Sequence, residues 1–322
     1  MIFQNGSIKS LEKPFNNPDL VIFHEIYRYP YIKIYKELVD NNIPYIIIPH
    51  GSLNKRAQSK NKIKKVIGNI LLFKKFVRNA SKVQFLSDKE LKMSVQFNSN
   101  TYVLGNGIYV DEKLELKEKK VNENGFEYIY IGRFDIKTKG LDILLKACNK
   151  NKEFMKKNNI ELSIYGKDSK DKKGRKYIKN YIEKNNIEDI IKLNSEVYDK
   201  EKVEKLLNAD IFIQTSRNEG QPLSVLEALG YGKPVIVTPG TNFSEIVEKE
   251  KMGWKTNLKT KDIAIKMREA YEFSKEKGLK DYSNNAKKYI KENFMWENIT
   301  KKALKIYKKI MEDERNKKIE KS

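Results

Sequence analysis

The chain has 322 residues, 65 basic and 43 acidic side chains, and a formal net charge of +22. Its length favours two domains, and an apolar content of 39% is enough for folded cores rather than wholesale disorder. No apolar run approaches the ~20 residues of a membrane-spanning helix, which excludes a transmembrane protein. A single cysteine, Cys148, precludes an internal disulfide, so we expect a cytoplasmic protein.

The sequence also limits metal and nucleic-acid chemistry. It contains two histidines, His24 and His50, and no Asp-x-Asp pair, so we predict no metal site and no resident cofactor. The basic charge permits nucleic acid, an anionic membrane or a phosphorylated substrate as a partner. Because RNA-binding motifs, helix-turn-helix spacing and paired zinc ligands are missing, we expect no nucleic acid. Lysines spread over solvated faces are the alternative explanation of the charge.

The first third of the chain alternates short β-branched runs with helical periods, which predicts an α/β domain over residues 1–110. Helices are predicted at Tyr31–Asp40 and Ile63–Asn79, and the polar residues 111–125 are predicted to be a linker. The predicted strands are Leu20–His24, Pro44–Ile48, Lys82–Leu86 and Thr101–Leu104.

The second part has a fuller set of βα units, which predicts a complete doubly wound domain over residues 126–295. Residues 296–322 are predicted to form a C-terminal helix whose charged tail frays from Met311. The fold class is therefore α/β, with two Rossmann-like domains of which the first is abbreviated. The predicted strands of the second domain are Glu127–Ile131, Ile160–Tyr165, Ile190–Leu193, Asp210–Gln214 and Pro234–Thr238.

The segment after the strand Asp210–Gln214 predicts an anion site. A helix begins with Pro222 in its first turn, and the backbone N–H groups of residues 221–224 are predicted to be unpaired donors that suit a phosphate. Glu219 precedes this helix and Glu227 lies within it. A carboxylate inside an apolar helix needs donors such as sugar hydroxyls. The alternative is one glutamate that favours the helix dipole and another on the polar face.

A second cationic segment follows the strand that ends at Ile131. Gly132 lets the backbone turn closely, and Arg133 and Lys139 come before a helix that starts near Gly140. Arginine offers a planar fork and lysine a point charge, and together they can neutralise a pyrophosphate. The alternative is two surface cations in a lysine-rich chain, which would be preferred for Lys139 taken alone.

Together these motifs resemble the retaining glycosyltransferases of GT-B fold known as family 4. The resemblance spans roughly residues 20–310 in the family's order. It implies two Rossmann-like domains facing a cleft, and metal-independent transfer of a sugar from a nucleotide sugar to a polysaccharide or lipid-linked glycan acceptor. The matching motifs are Gly132-Arg133 with Lys139-Gly140, Glu219 and Glu227 as Glu-x7-Glu, the following Gly-x-Pro-Val-Ile, Pro49-His50-Gly51 and Asn106-Gly107.

The resemblance also implies roles for individual residues. Arg133 and Lys139 would hold the diphosphate, Glu219 would contact the donor sugar, and Glu227 would bind the ribose. His50 would approach the donor sugar from the acceptor-side domain. His24 is a weaker candidate beside it, and a structural role is the alternative for both histidines. The remaining implied donor contacts are Gly132, Gly166, Glu196, Val197, Gly220, Gln221, Pro222, Leu223 and Ser224.

The first domain departs from the family's pattern, because no glycine-rich loop is evident before the His24 strand. Three explanations stay open: a naturally short domain, a second subunit that completes it, or a sequence that starts late. The alternative function is accordingly a non-catalytic or partner-dependent subunit that binds a nucleotide sugar.

A basic stretch predicts contact with an anionic membrane surface. Twelve basic residues lie between Leu53 and Lys92, against only Asp88 and Glu90. A helix with cations on one side and apolar residues on the other can lie on an anionic leaflet, where each nearby cation adds ~1 kcal/mol to the binding free energy. The alternative is an ordinary helix whose apolar stripe faces the first sheet. The apolar residues at helical spacing are Ile63, Val66, Ile67, Ile70 and Leu71, extended by Phe73, Phe76 and Val77.

Overall fold

The computed structural model describes residues 7–55, 58, 66–111, 125–169 and 172–320. It forms two compact units, one made of residues 1–106 with 297–322 and the other of residues 107–296. Each unit is built on a parallel sheet, which confirms the predicted α/β class. The predicted terminal segment is not separate, since residues 297–322 group with the first unit. Of the predicted linker, residues 112–124 lie outside the described residues.

The described strands match the nine predicted ones to within one or two residues and add a tenth. They are β1 (Val21–His24), β2 (Tyr45–Ile48), β3 (Lys82–Phe85), β4 (Thr101–Val103), β5 (Phe126–Ile131), β6 (Ile160–Tyr165), β7 (Ile191–Leu193), β8 (Ile211–Gln214), β9 (Val235–Val237) and β10 (Gly253–Lys255). The tenth, β10, was not predicted because it is three residues long and has no β-branched run.

Helices separate these strands. They are α1 (Pro30–Asp40), α2 (Lys74–Arg78), α3 (Asp88–Met93), α4 (Ile136–Lys139), α5 (Leu141–Lys150), α6 (Lys152–Lys157), α7 (Gly174–Asn185), α8 (Asp199–Asn208), α9 (Leu223–Gly230), α10 (Ser244–Lys249), α11 (Thr260–Lys277), α12 (Lys280–Asn293) and α13 (Trp296–Ile319). None of the helices in the described part is both long and apolar enough to cross a bilayer.

The first sheet has the order β1-β2-β3-β4, with every neighbouring pair parallel. Within the described residues this order runs in one direction and shows no reversal. Right-handed crossovers then place the connecting helices on one face. On that face Phe23 and Ile47 of the sheet are buried in one cluster with Leu38 of α1 and Phe76 of α2.

The predicted helix over residues 63–79 is described from residue 66 onward. Residues 66–68 are helical, a π-helical turn follows at Asn69–Phe73, and α2 ends at Arg78. Ile63, which was predicted to begin the apolar stripe, lies outside the described residues.

The opposite face of the first sheet is covered by α13. Ile310 is 3% exposed and lies in one cluster with Ile46 and Ile48 of β2. The helix continues to Ile319, so the prediction that the tail frays from Met311 was wrong. An apolar stripe at helical spacing anchors this helix, and its charged residues occupy the other face.

The second sheet is doubly wound, with the parallel order β10-β9-β8-β5-β6-β7. The chain runs outward from β5 to β7 and then resumes at β8 on the other side of β5. The two faces of β5 supply two separate cores, since Tyr128 and Tyr130 enter one cluster while Ile129 and Ile131 enter the other. The reversal between β5 and β8 is where such sheets bind ligands.

We expect Ile310→Ala to weaken the first unit by ~2–4 kcal/mol, because the substitution removes buried methyl groups from its second face. Ile319→Ala is the matched control, since it makes the same change in the same helix at a residue that is 66% exposed. Native-state hydrogen exchange of the β2 and β3 amides reports the difference within this unit. Equal protection in the two variants would contradict the assigned packing.

Candidate functional site

The two motif segments of the second unit meet at the sheet reversal. β5 leads into Gly132 and Arg133, and its neighbour β8 leads into the loop that carries Glu219. Because the two strands are parallel and adjacent, their carboxyl ends lie side by side. This topology brings together two segments that are about eighty positions apart in the sequence.

Lys139 and Glu219 form an ion pair at this edge. Lys139 Nζ donates to Glu219 Oε1 at 2.7 Å, and the two side chains are only 14% and 12% exposed. The same Oε1 accepts from Gln214 Nε2 at 2.8 Å and from Ser216 Oγ at 2.6 Å. Three donors therefore offset the cost of burying the carboxylate. Lys139 is not the solvated surface cation that composition alone favours.

Gln214 links this pair to the following helix. It is the last residue of β8, is 1% exposed, and accepts through Oε1 from Ser224 Oγ at 2.9 Å. Its amide thus bonds to Glu219 on one side and to the first turn of α9 on the other. Sequence reasoning missed Gln214, although a polar residue that ends the run Ile-Phe-Ile is a usable signal.

The turn that carries Lys139 is fixed by its neighbours. Asp135 caps α4 by accepting the Thr138 N–H at 3.0 Å. Gly140 has φ +69, and a Cβ there would lie 2.0 Å from the Thr215 carbonyl oxygen. This close approach, which needs a glycine, seats the turn against the end of β8.

Arg217 is a further residue that sequence reasoning missed. Its guanidinium binds Asp142 through two bonds of 2.7 and 2.8 Å and also donates to the Lys137 carbonyl at 2.7 Å. Its backbone N–H donates to the Thr138 carbonyl at 2.8 Å. Arg217 therefore ties the Glu219 loop to the Lys139 turn from behind.

Arg133 is placed differently from Lys139. Its side chain is exposed, and among the described residues its guanidinium has no hydrogen-bonding or ion-pair partner. Its carbonyl accepts from the Tyr130 hydroxyl at 3.0 Å, which fixes the backbone just beyond Gly132. The edge of the sheet thus presents one open cation beside a cation that is already paired.

Fewer backbone N–H groups are unpaired at the start of α9 than the sequence predicts. α9 begins at Leu223, and Pro222, which has no N–H, is its N-cap residue. The Leu223 N–H already donates to the Gln221 carbonyl at 3.1 Å, so the prediction of unpaired donors over residues 221–224 was wrong at this residue. A local turn satisfies that group before any ligand does. Gly220 leaves open space where a side chain would stand.

Glu227 is not a buried carboxylate without donors. Its side chain is 27% exposed and pairs with Lys202 Nζ at 2.7 Å. The apolar residues of α9 face the core at helical spacing, which turns Glu227 to the polar side. The prediction that Glu227 is buried and needs sugar hydroxyls as donors was therefore wrong. Its contact with ribose stays a prediction.

The predicted base-side residues lie at the ends of β6 and β7. A Cβ on Gly166 would lie 1.9 Å from the Gly132 carbonyl oxygen, so a glycine is required between β5 and β6. Glu196 is exposed, and the Tyr198 hydroxyl and Lys167, whose Nζ lies 3.1 Å away, lower its pKa. Val197 is 7% exposed within a core cluster, so its side chain does not face solvent.

The two histidines lie together at the carboxyl edge of the first sheet. His24 Nδ1 and His50 Nε2 are 2.8 Å apart, and the two nearly parallel rings meet edge to edge with centroids 5.1 Å apart. Partial burial lowers the pKa of each ring, and the nearby His50 lowers that of His24 further. The structure therefore pairs the predicted His50 with the weaker candidate His24.

In the part of the chain that the structure describes, the other metal-binding or nucleophilic side chains do not form a further site. Across the described ranges, no three His, Cys, Asp or Glu residues are grouped so that they could hold a metal ion. Cys148 is fully buried in α5, and burial raises the pKa of its thiol to about 12. It is an apolar core residue, as its helical position predicts.

Comparison with known proteins places these motifs in a family context. The family described as "Glycosyl transferases group 1" matches residues 111–289, which is more than half of the chain. An uncharacterized glycosyltransferase of Methanocaldococcus jannaschii is 29% identical over 295 residues, which cover 83% of this chain and 67% of that protein. Protein CapJ of Staphylococcus aureus is 28% identical over 252 residues, covering 75% of this chain and 59% of CapJ.

Solved structures confirm the fold. HepE of Anabaena in complex with UDP has a TM-score of 0.72 at 17% identity, covering 89% of this chain and 78% of HepE. WaaG, a glycosyltransferase involved in lipopolysaccharide biosynthesis, has a TM-score of 0.62 at 16% identity, covering 85% of this chain and 80% of WaaG. The chain has the GT-B fold that its motifs predicted.

We expect Lys139→Met and Glu219→Gln each to destabilise the protein by ~1–3 kcal/mol, because each leaves a largely buried group without its partner. The double variant should lose less than the sum of the two, and denaturant unfolding measures the coupling. The control cycle is Lys156→Met with Asp189→Asn, an exposed pair at 2.7 Å that solvent screens and that should therefore couple more weakly. Equal coupling in both cycles would contradict a shielded pair.

Proposed function

This chain belongs to the glycosyl transferases group 1 family, and we propose that it is a retaining, family 4 hexosyltransferase. It would move a sugar from a nucleotide diphosphate sugar to a polysaccharide or lipid-linked glycan acceptor in cell-surface polysaccharide biosynthesis. The observation that carries the proposal is the Lys139–Glu219 pair beside the open Arg133, at the carboxyl ends of β5 and β8. HepE, which was solved with UDP, supports a nucleoside diphosphate as the donor's leaving group.

The chemistry follows from where charge develops. When the bond between the anomeric carbon and the diphosphate breaks, negative charge grows on the departing oxygens. Arg133, whose side chain is exposed, would bind those oxygens, and Lys139 lies at the same edge of the sheet in a shielded environment where fixed charges act strongly. The acceptor hydroxyl oxygen then bonds to the anomeric carbon on the face from which the diphosphate departs, and its proton passes to the departing diphosphate oxygen.

Glu219 has a defined part in this proposal. Its Oε1 holds three donors, so the carboxylate is fixed in one orientation before any substrate binds. Its backbone is held as well, because Asn242 Nδ2 donates to the carbonyls of Glu219 and Gly220. A rigid carboxylate beside the diphosphate position would orient the donor sugar and stabilise the positive charge that develops at its anomeric carbon.

No metal ion takes part in the proposed reaction. Two cations from the chain itself, Arg133 and Lys139, supply the positive charge that a metal would otherwise bring to the diphosphate. The positive end of the α9 dipole lies nearby, where Gln214 already holds the Ser224 hydroxyl.

We expect nucleotide binding and sugar transfer to persist when EDTA is present.

Arg133→Ala should weaken binding of the preferred nucleoside diphosphate by ~1.5–3 kcal/mol, because a charge-assisted bond is lost. Calorimetry with UDP and GDP measures the affinity, and release of the diphosphate from a panel of nucleotide sugars measures transfer. Lys137→Ala is the control, since Lys137 is an exposed cation on the same short helix as Lys139.

Two results would oppose these assignments separately. Unchanged affinity of Arg133→Ala for both diphosphates would remove Arg133 from the site. Loss of transfer in EDTA that manganese restores would instead overturn metal independence and leave the nucleotide site in place.

We further propose that the protein works at the cytoplasmic face of an anionic membrane. The segment over residues 66–78 has two different sides. Phe76 and Val77 are fully buried in the first core, as the ordinary-helix alternative requires. Ile70 and Leu71 are instead 73% and 69% exposed. The apolar surface is therefore shorter than the sequence predicts, but it is open to a bilayer.

Charge complements this exposed surface. Lys74, Lys75 and Arg78 are exposed in the same segment, so cations flank the apolar residues. Such a combination suits a leaflet of anionic lipid, where the apolar side chains enter the interface and the cations meet the headgroups.

We expect the protein to co-sediment with vesicles of phosphatidylglycerol and phosphatidylcholine, and to be released by salt as surface charge is screened. Lys74→Gln with Lys75→Gln should weaken binding roughly tenfold or more, at ~1 kcal/mol for each cation. Lys301→Gln with Lys302→Gln removes the same charge from exposed positions of α13 and should have little effect. Equal losses in the two double variants would show attraction by net charge alone and contradict this surface.

A further inference from the structure

The two histidines of the chain meet through the register of the first sheet. His24 ends β1 opposite Ile48, the last residue of β2, and His50 follows two residues later. The rings lie almost parallel, at 20°, with one nitrogen of each directed at the other across 2.8 Å. This separation is that of a hydrogen bond, so the rings are coupled rather than merely adjacent.

The backbone around His50 is held in a costly conformation. His50 has φ +48 and Gly51 has φ +78, so two successive residues are left-handed. A left-handed conformation outside glycine costs ~1–3 kcal/mol and persists only where the surroundings impose it. Glu90, which is 3% exposed, imposes it by accepting the Gly51 N–H at 2.6 Å and the Leu86 N–H at 2.7 Å.

His24 is held independently of His50. The Tyr31 hydroxyl of α1 donates to the His24 carbonyl at 3.0 Å. Glu25, the next residue, is also left-handed at φ +71, and its carboxylate pairs with Arg28 at 2.7 Å. The two imidazoles are therefore brought together by two separately fixed turns.

A hydrogen bond between two imidazoles restricts where their protons can be. Only one of the facing nitrogens, His24 Nδ1 and His50 Nε2, can carry a hydrogen while the contact lasts. If His24 donates, both neutral rings hold their proton on Nδ1. If His50 donates, both hold it on Nε2. In either case the two rings have the same tautomer.

Protonation of both rings breaks this contact, because two N–H groups would then face each other. Partial burial lowers the pKa of each ring, whereas the Glu25 carboxylate raises both. The other charged or titratable groups on the elements around the pair are Arg28, which is bound to Glu25, Tyr31 on α1 and Glu90 on α3. The pair is therefore neutral until acid adds a first proton, and the hydrogen-bonded contact persists until acid adds the second.

We propose that His24 is a positioning residue, whose hydrogen bond to His50 fixes the orientation of that ring for sugar transfer and makes its tautomer match that of His24. The inference rests on the proposed function in one respect, since it takes His50 to approach the donor sugar during transfer, as the family resemblance implies. The pairing itself does not depend on it. A polar replacement of His24 that can still bond to His50 should therefore keep His50 in place, and an apolar replacement should release it.

Nuclear magnetic resonance of the ring nitrogens tests the pairing without activity. Since the chain has two histidines, their signals are assigned by substituting either one. We expect both rings to show the same single tautomer at neutral pH. His24→Asn should keep His50 in one tautomer, because an amide can replace Nδ1, and His24→Phe should leave His50 in a mixture. Opposite tautomers in the native protein, or a His50 signal unchanged by His24→Phe, would overturn the proposal.

Kinetics test the consequence for transfer. His24→Phe should lower kcat roughly 10- to 100-fold, as misplacement of an active group does, while leaving the donor KM nearly unchanged. His24→Asn should recover most of the rate, and His24→Phe should cost nothing further when His50 is already Phe. Lys33→Gln, an exposed change on α1, is the control. Additive losses in the double variant, or a native rate in His24→Phe, would overturn the positioning role.

The two failures can be told apart. Absence of transfer by the native protein with every donor would reject the proposed function, while the tautomer measurement would still decide the pairing. Active native protein with independent histidines would reject only the role of His24.

Discussion

The candidate donor site depends on one constraint, which is that a largely buried Lys139–Glu219 pair must be held at its working distance. Removing two charges from water is costly unless further bonds compensate. Gln214 and Ser216 provide those bonds at the end of β8, and Gly140 permits the close approach of the turn that carries the lysine. Hydrogen bonds, a tight glycine turn and the adjacency of β5 and β8 thus together hold the Lys139–Glu219 pair in place. The site is therefore organised before substrate arrives.

Much of this arrangement could be predicted from the sequence, and the exceptions share a physical cause. Apolar runs located nine strands, and the family resemblance implied that Arg133, Lys139 and Glu219 serve one donor site. Periodicity could not show that Lys202 pairs with Glu227, because that contact joins separate helices. Nor could it show that the Leu223 N–H is used by a local turn. Patterns predict which residues face a core, whereas pairing between polar side chains depends on the finished packing.

The first unit uses polar groups chiefly to hold backbone turns. Glu90 is a buried carboxylate whose two N–H partners come from the loops after β2 and β3, and burial raises its pKa. Glu90 therefore links the ends of β2 and β3 by hydrogen bonds that lie beyond the sheet. His50 stands on the turn that this link secures, which explains how a non-glycine residue is kept left-handed at an exposed edge.

The place of α13 in the chain has a consequence for biosynthesis. Ile46 and Ile48 emerge early during translation, but the helix that covers them is made after the whole second unit. The second unit is continuous in sequence and can complete its cores first. Until then the nascent first sheet presents an apolar face to solvent, and such exposed apolar surface promotes aggregation. The second unit can therefore complete its fold before the first, although most of the first is made earlier.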